Sequence, residues 1–206
     1  MELARRAGLA VASVELAASA GRFALLVDRF DRTPTGHRRR MVSALTVLGL
    51  TPFPEGRYAT YTELAHRIRG RFADPEATLQ ELYGRIAFNM MCGNTDDHGR
   101  NHAAFVGHEL ELTPAYDICP QARSGETAEQ AMAFDEHGNR DARLELLIDA
   151  APLYLLDRNQ GRAIIDSLET TIREQWSDVC DAAELTTVQR ERFWNRQFLN
   201  QHAFET

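Results

Sequence analysis

The chain has 206 residues, 44% of them hydrophobic, and a formal charge of −7, so it is long enough to bury a real core and is acidic overall. That acidity argues against broad nucleic-acid binding by the whole domain, because such affinity comes mainly from neutralised phosphates. No apolar run reaches about 18 residues, so no membrane-spanning helix is expected.

In chain order, a short helix leads into a strand, "VASVELAAS", and a second strand, "RFALLVDRF", from Arg22 to Phe30. Ser13 and Glu15 interrupt the apolar N-terminal stretch, which makes it a poor signal peptide. A polar, basic loop follows, "DRTPTGHRRR", and then a helix, "RRMVSALTVLGL", that stops at Gly49. "TYTELAHRI" has Thr60 and Glu63 at capping-box spacing. "DPEATLQELYGRIAFNMM" offers Asp74 as N-cap and Pro75 as its first helical residue. Its apolar positions Leu79, Leu82, Tyr83, Ile86 and Met90 follow the 3.6-residue period. A hairpin is expected around Gly107 and His108, then a loop rich in Gly, Ser, Gln and Glu from Gln121 to about Gln130. Helices are expected over 141–156, 158–183 and 186–201, with Ile165, Leu168, Ile172, Trp176 and Val179 as a core stripe. The pattern predicts one α+β domain, mostly helical, with a small N-terminal sheet.

Two compositional facts bear on chemistry. Cys92, Cys119 and Cys180 are odd in number and widely spaced, which points to a reducing compartment without a disulfide framework. All 23 residues counted as Lys or Arg are Arg, so a mechanism that needs a lysine must find it on another chain. Arg38, Arg39 and Arg40 read most simply as a solvated face, with a phosphate or partner contact as the functional alternative.

The densest chemistry lies in "FNMMCGNTDDHGRN", Phe88 to Asn101. Asn, Asp and Gly gather at helix ends for local hydrogen-bonding reasons alone, so composition by itself reads as a turn. Spacing adds more. Asp96, His98 and Asn101 stand at i, i+2 and i+5, and Asp117 follows a hairpin in "LTPAYD". A carboxylate to orient a hydroxyl, an Asn five residues on, and an Asp beyond a hairpin are the parts of a kinase C-terminal lobe. Phosphoryl transfer needs Mg²⁺, which takes hard oxygen ligands and only one or two carboxylates. Asn101 and Asp117 are suitable donors. A zinc site built from Cys92, His98, His102 and Cys119 has acceptable ligand types but irregular spacing. A calcium loop lacks its alternating oxygens and closing Glu.

"FNMMCGNTDDHGRN" followed by "LTPAYDICP" closely resembles the HipA family of bacterial serine/threonine kinases, the toxins of HipBA-type toxin–antitoxin pairs. "LLVDRFDR" is similar to the family's segment between lobes, and "QARSGETAEQAMAF" to the region after its metal-binding Asp. The resemblance covers about residues 1–200 and implies a cytoplasmic protein with a kinase-like C-terminal lobe of the HipA type over 1–206. It implies Asp96 as catalytic base, with His98 beside it taking the place of a phosphate-contacting Lys. Asn101 and Asp117 are implied as Mg²⁺ ligands. His98, Gly99, Arg100 and Asn101 would line the ATP phosphates beside Tyr116. Asp28, Arg29 and Phe30 would form the adenine hinge. Asp97 has no implied role, and a solvated neighbour is its default.

The family's N-terminal lobe, with a Gly-rich loop and an ATP-contacting Lys, has no counterpart in these residues. The lobe would be supplied by a separate N-terminal lobe polypeptide or lost through truncation, and the resemblance further implies an antitoxin partner and a protein substrate, an aminoacyl-tRNA synthetase in the family. No direct nucleic-acid or membrane contact is expected. The rival expectation is a non-catalytic module that keeps the fold and acts through protein contacts.

Overall fold

The computed structural model describes residues 1–122, 125 and 127–205. The expected loop from Gln121 to Gln130 falls partly outside them, at Arg123, Ser124 and Glu126. The chain opens with a short helix, α1 (Glu2–Arg6), and an antiparallel hairpin of β1 (Val14–Ser19) and β2 (Arg22–Val27). The hairpin turns at Ala20 and Gly21, both at positive φ. The second strand ends sooner than the expected Phe30. Asp28 donates its N–H to the Ser13 carbonyl at 2.9 Å, and the next residues leave the ladder.

The expected helix over "RRMVSALTVLGL" is two elements. Met41–Ser43 form a strand, β3, and Ala44–Leu48 form α2. Met41 and Val42 pair with the sheet, so tertiary hydrogen bonding overrides the helical pattern. Ser43 then caps α2, accepting from the Thr46 N–H, and Gly49 ends it in the left-handed region. The helix α3 (Tyr61–Arg71) starts at Thr60, whose hydroxyl accepts from the Glu63 N–H at 3.0 Å. The long helix α4 (Pro75–Cys92) starts at Asp74, which accepts from the Ala77 N–H. It is buried along almost its whole second half.

The expected hairpin forms as β4 (Ala103–Val106) and β5 (Leu110–Leu112), and β3 adds to it in the order β3-β4-β5, all antiparallel. The expected helix over 141–156 is broken. Its first residues run extended, with the Ala142 N–H on the Ala128 carbonyl. Then α5 (Leu144–Asp149) gives way at Ala150 to a 3-10 turn, Ala151–Tyr154, entered through Pro152. The helix α6 (Arg158–Ala182) matches its expected span and opens with a full capping box between Asp157 and Gln160. The last helix, α7 (Thr187–Phe193), is shorter than expected. Trp194 turns extended and Asn195 takes positive φ, before a closing 3-10 turn, Gln201–Phe204.

The core is one cluster centred on α4, with α3, α6 and the 151–154 turn packed around it. Leu82, Ile86, Ile165, Leu168 and Ile172 are all in it. Trp176 and Val179 sit at its edge, half-buried, with Trp176 packed on the rings of Trp194 and Phe198. A buried guanidinium ties this body to the sheet side. Arg85 pairs with Glu81 at 2.8 Å and donates to the carbonyls of Ala10 and Thr113. That holds the segment after β5 against α4. No helix among the described residues is long and apolar enough to cross a membrane.

Leu168 is 3% exposed in this core. Leu168→Ala is expected to cost about 2–5 kcal/mol, from lost burial plus the cavity left behind. Urea unfolding measures it, and a loss under about 1 kcal/mol contradicts the assigned helix face.

Candidate active site

The loop that follows α4 is built around a carboxylate left without a role by the sequence. Asp97 is 3% exposed. It accepts from the Tyr61 hydroxyl of α3, from Asn89 Nδ2 of α4 at 2.7 Å, and lies 2.9 Å from His102 Nε2. It is no solvated neighbour of Asp96, because three elements converge on it. Burial alone pushes its carboxyl up. The charge and hydrogen bond of His102 outweigh this, helped by Tyr61 and Arg85, and hold it below the ordinary aspartate value. Tyr61, buried and facing that carboxylate, is pushed well above its usual value and remains a neutral donor.

Backbone contacts finish the loop. Gly93 ends α4 in the left-handed region, and a Cβ there would stand 2.8 Å from the Gln197 carbonyl oxygen. Gly99 carries α2 and Ala59 directly against the loop, since a Cβ would meet Leu45 Cδ2 at 2.8 Å. Leu45 and Ala44 donate their N–H groups to the Gly99 and His102 carbonyls. The loop is therefore fixed from below, while Asp96 and Arg100 remain exposed. The Asp96 side chain has no hydrogen bond or ion pair among the described residues.

Asn101 and Asp117, 16 positions apart, come together. Asn101 Nδ2 lies 3.2 Å from Asp117 Oδ2. The β4–β5 hairpin makes this juxtaposition, and Asp117 takes a positive φ of 59° to turn back toward the loop. Asn94 donates to Asn89 Oδ1 at 3.1 Å and reaches the Asp117 carbonyl at 3.5 Å. A continuous chain of polar contacts thus runs from Asp97 through Asn89 and Asn94 to Asp117.

Tyr116 closes one side. Its hydroxyl donates to the Arg100 carbonyl at 2.7 Å, and burial, followed by the Asp97 and Asp117 charges, pushes its pKa up to about 12. Its ring lies 5.7 Å from that of Phe30, which meets Phe105 edge-on at 6.1 Å. Phe30 of the expected hinge therefore reaches the site, while Asp28 is exposed and Arg29 is held by Asp31 through two hydrogen bonds. His98 is half-buried. Its Nε2 is 3.1 Å from Arg100, and its buried Nδ1 has no partner.

The zinc reading fails on this geometry. No three His, Cys, Asp or Glu side chains among the described residues form a metal-ligating group. His102 is committed to Asp97, and Cys92 is buried at the end of α4. The donor set that remains, one amide and one carboxylate in contact, suits a hard cation with few protein ligands. Sequence reasoning missed Tyr61, Asn89 and Asn94, took Asp97 for a solvated neighbour, and read His102 only as a zinc candidate. The available signal was Asn89, a lone amide in the apolar run "IAFNMMC", since a buried polar group demands partners.

A helical body carrying a small hairpin and this loop has the architecture of a protein-kinase-like C-terminal lobe. The chain belongs to the HipA-like C-terminal domain family, whose model matches residues 1–176. It is 29% identical over 160 residues to the serine/threonine-protein kinase toxin HipA of Shewanella oneidensis, covering 66% of this chain and 36% of that protein. The structure of Shewanella oneidensis HipA with HipB and operator DNA superposes with a TM-score of 0.77, at 24% identity, covering 100% of this chain and 57% of HipA. The Helicobacter pylori proinflammatory kinase CtkA gives a TM-score of 0.64 at 12% identity, covering 98% of this chain and 82% of CtkA. The chain spans about a third of the length of the curated relatives it matches.

Asp97→Ala is expected to destabilise the fold by about 3–5 kcal/mol, because it strands buried partners of a charged group. The pH dependence has a defined sign. With its folded pKa depressed, Asp97 contributes stability above the unfolded aspartate value of about 3.9, and that stability is lost as pH falls through the folded value. Thermal midpoints taken from about pH 6 to about pH 3 should fall more steeply in the parent protein than in Asp97→Asn. Equal slopes contradict the assignment.

Proposed function

We propose that this chain is the catalytic lobe of a kinase that moves the ATP γ-phosphate to a serine or threonine hydroxyl. The observation that carries the reading is the contact of Asn101 with Asp117 beside a loop that leaves Asp96 exposed and uncommitted. Asp96 would accept the proton of the acceptor hydroxyl and orient its oxygen for in-line attack. Asn101 and Asp117 would hold Mg²⁺, which supplies charge neutralisation along the phosphates when bound. Their present mutual hydrogen bond leaves both groups in place to turn oxygens toward one cation. The exposed Arg100 offers donors to phosphate oxygens, while His98 stands half-buried beside it with its Nδ1 turned inward. Phe30 and Tyr116 form an aromatic wall on the hinge side, where Asp28–Phe30 would meet adenine through backbone groups.

A complementary lobe has a natural seat. Leu16, Phe23, Leu25, Leu26 and Val27 of the β1–β2 hairpin are all exposed, and a two-stranded ribbon is marginal alone. A β-rich lobe, on a longer form of this polypeptide or on another, would cover these side chains and add the covering loop and lysine that these residues do not supply. An antitoxin is a further proposed partner, by likeness to HipA, which was solved with HipB and DNA.

The 206-residue chain alone is expected to bind ATP–Mg²⁺ weakly and to transfer phosphate slowly. With a complementing lobe, Asp96→Asn should lower phosphoryl transfer on the order of 10²–10⁴-fold while nucleotide affinity barely changes. Asp117→Ala should remove the Mg²⁺-dependent part of that affinity. Radiolabel transfer and calorimetry read the two effects. A complemented protein that binds nucleotide but never transfers phosphate points to the non-catalytic module. Robust transfer by the chain alone contradicts the expected dependence on a second lobe.

A further inference from the structure

The loop from Arg29 to Arg40 is tied down at both ends. Arg39 donates its N–H to the Asp31 carbonyl, Thr33 donates to the His37 carbonyl, and Val106 of β4 donates to the Arg40 carbonyl, all at 2.9 Å. Backbone hydrogen bonding thus extends one residue beyond β3, and Arg38–Arg40 stand fixed at the sheet margin. All three side chains are exposed. With Phe105, Gly107 and Glu111 they line a shallow cavity of about 300 Å³. Arg39 is pre-organised. Its guanidinium carbon lies over the Phe105 ring, 3.4 Å from the centroid, and among the described residues the group pairs with the rim carboxylate of Glu111, at 3.3 Å. Arg38 and Arg40 have no ion pair or side-chain hydrogen bond among the described residues. Several exposed arginines elsewhere are held by carboxylates, as in Arg29–Asp31, Arg158–Glu145 and Arg173–Glu169. Three adjacent cations with almost no internal counter-charge, in a chain of net charge −7, make a local basic patch on an acidic molecule.

We propose that Arg38, Arg39 and Arg40 form a docking site for an acidic peptide segment of a partner protein. The chemistry favours carboxylates. Guanidinium forks match carboxylate geometry two bonds at a time, and a rigid backbone lowers the ordering cost of capture. A nucleic-acid strand fits less well, because its affinity grows with the number of phosphates neutralised and the surrounding charge is negative. The patch borders the functional cleft, since Phe105 links Arg39 to Phe30 and Phe30 to Tyr116. A segment held there is anchored next to the hinge side of the site. Glu111 on the rim repels a carboxylate placed against β5 and so directs the segment toward Arg38 and Arg40. The inference needs no phosphoryl transfer and stands apart from the kinase reading.

Fluorescence anisotropy with a fluorescein-labelled hexaglutamate peptide, without nucleotide, tests it. Binding is expected to weaken at least about tenfold between about 20 mM and about 300 mM salt, because exposed charges are screened over these distances. Arg38→Glu/Arg40→Glu should weaken it at least about tenfold, and Arg38→Lys/Arg40→Lys should weaken it less. Arg67→Glu, which alters a helix arginine already paired with Glu63, should leave it unchanged. Circular dichroism of each variant keeps misfolding apart from lost binding. Absent binding, an equal loss in Arg67→Glu, displacement of the peptide by ATP–Mg²⁺, or tighter binding of labelled oligouridylate through the same arginines overturns the proposal.

Discussion

The buried Asp97 carboxylate sets the geometry on which the site depends. A charge in this position is tolerable only when its lone pairs are filled, and Tyr61, Asn89 and His102 fill them. Each partner comes from a different element: α3, α4 and the entry to β4. One ionised group therefore fixes the separation of two helices and the sheet. Its neighbours in sequence, Asp96 and His98, are placed at the surface as a consequence, one exposed and one half-buried. Asn89 extends the arrangement through Asn94 to the Asp117 carbonyl, so the two halves of the candidate metal pair share one polar scaffold.

Around that scaffold the chain uses close backbone approach in place of bulk. At Gly93 the C-terminal segment crosses over the end of α4, and Leu199 donates its N–H to the Met91 carbonyl at 2.7 Å. At Gly99 the α2 segment presses on the loop from the other side. The loop is thereby clamped between late and early parts of the chain. Its exposed groups, Asp96 and Arg100, are carried on a fixed backbone. The β1–β2 hairpin contrasts with this body, since its large apolar side chains remain in water.

Much of this was legible in the sequence, for physical reasons that differ by element. Asp74-Pro75 and Gly93 bracket α4 because caps act locally, and the β4–β5 hairpin followed from alternating patterns about Gly107. The juxtaposition of Asn101 and Asp117 also followed from the spacing, since a hairpin returns the chain to its start. What was not legible depended on tertiary pairing. Met41–Ser43 look helical until β4 offers a ladder, and residues 141–156 look continuous until Ala142 pairs with Ala128. Asp97 could not be told from Asp96 by type or position. Only the convergence of Tyr61, Asn89 and His102, 36 and 8 positions upstream and 5 downstream, separates the buried carboxylate from the exposed one.

The fold is that of a kinase-like C-terminal lobe and the family is the HipA-like C-terminal domain; the proposal that Asn101 and Asp117 form a cation site is the one on which the functional reading turns. Substituting Mn²⁺ for Mg²⁺ tests that claim without relying on turnover. In isotope-labelled protein titrated with Mn²⁺ and ATP, paramagnetic broadening should strike the NMR signals of Asn101 and Asp117 first, then those of Tyr116 and His98. The pattern should vanish in Asp117→Ala while the remaining spectrum stays folded. Broadening centred elsewhere, or unchanged in Asp117→Ala, would contradict the account.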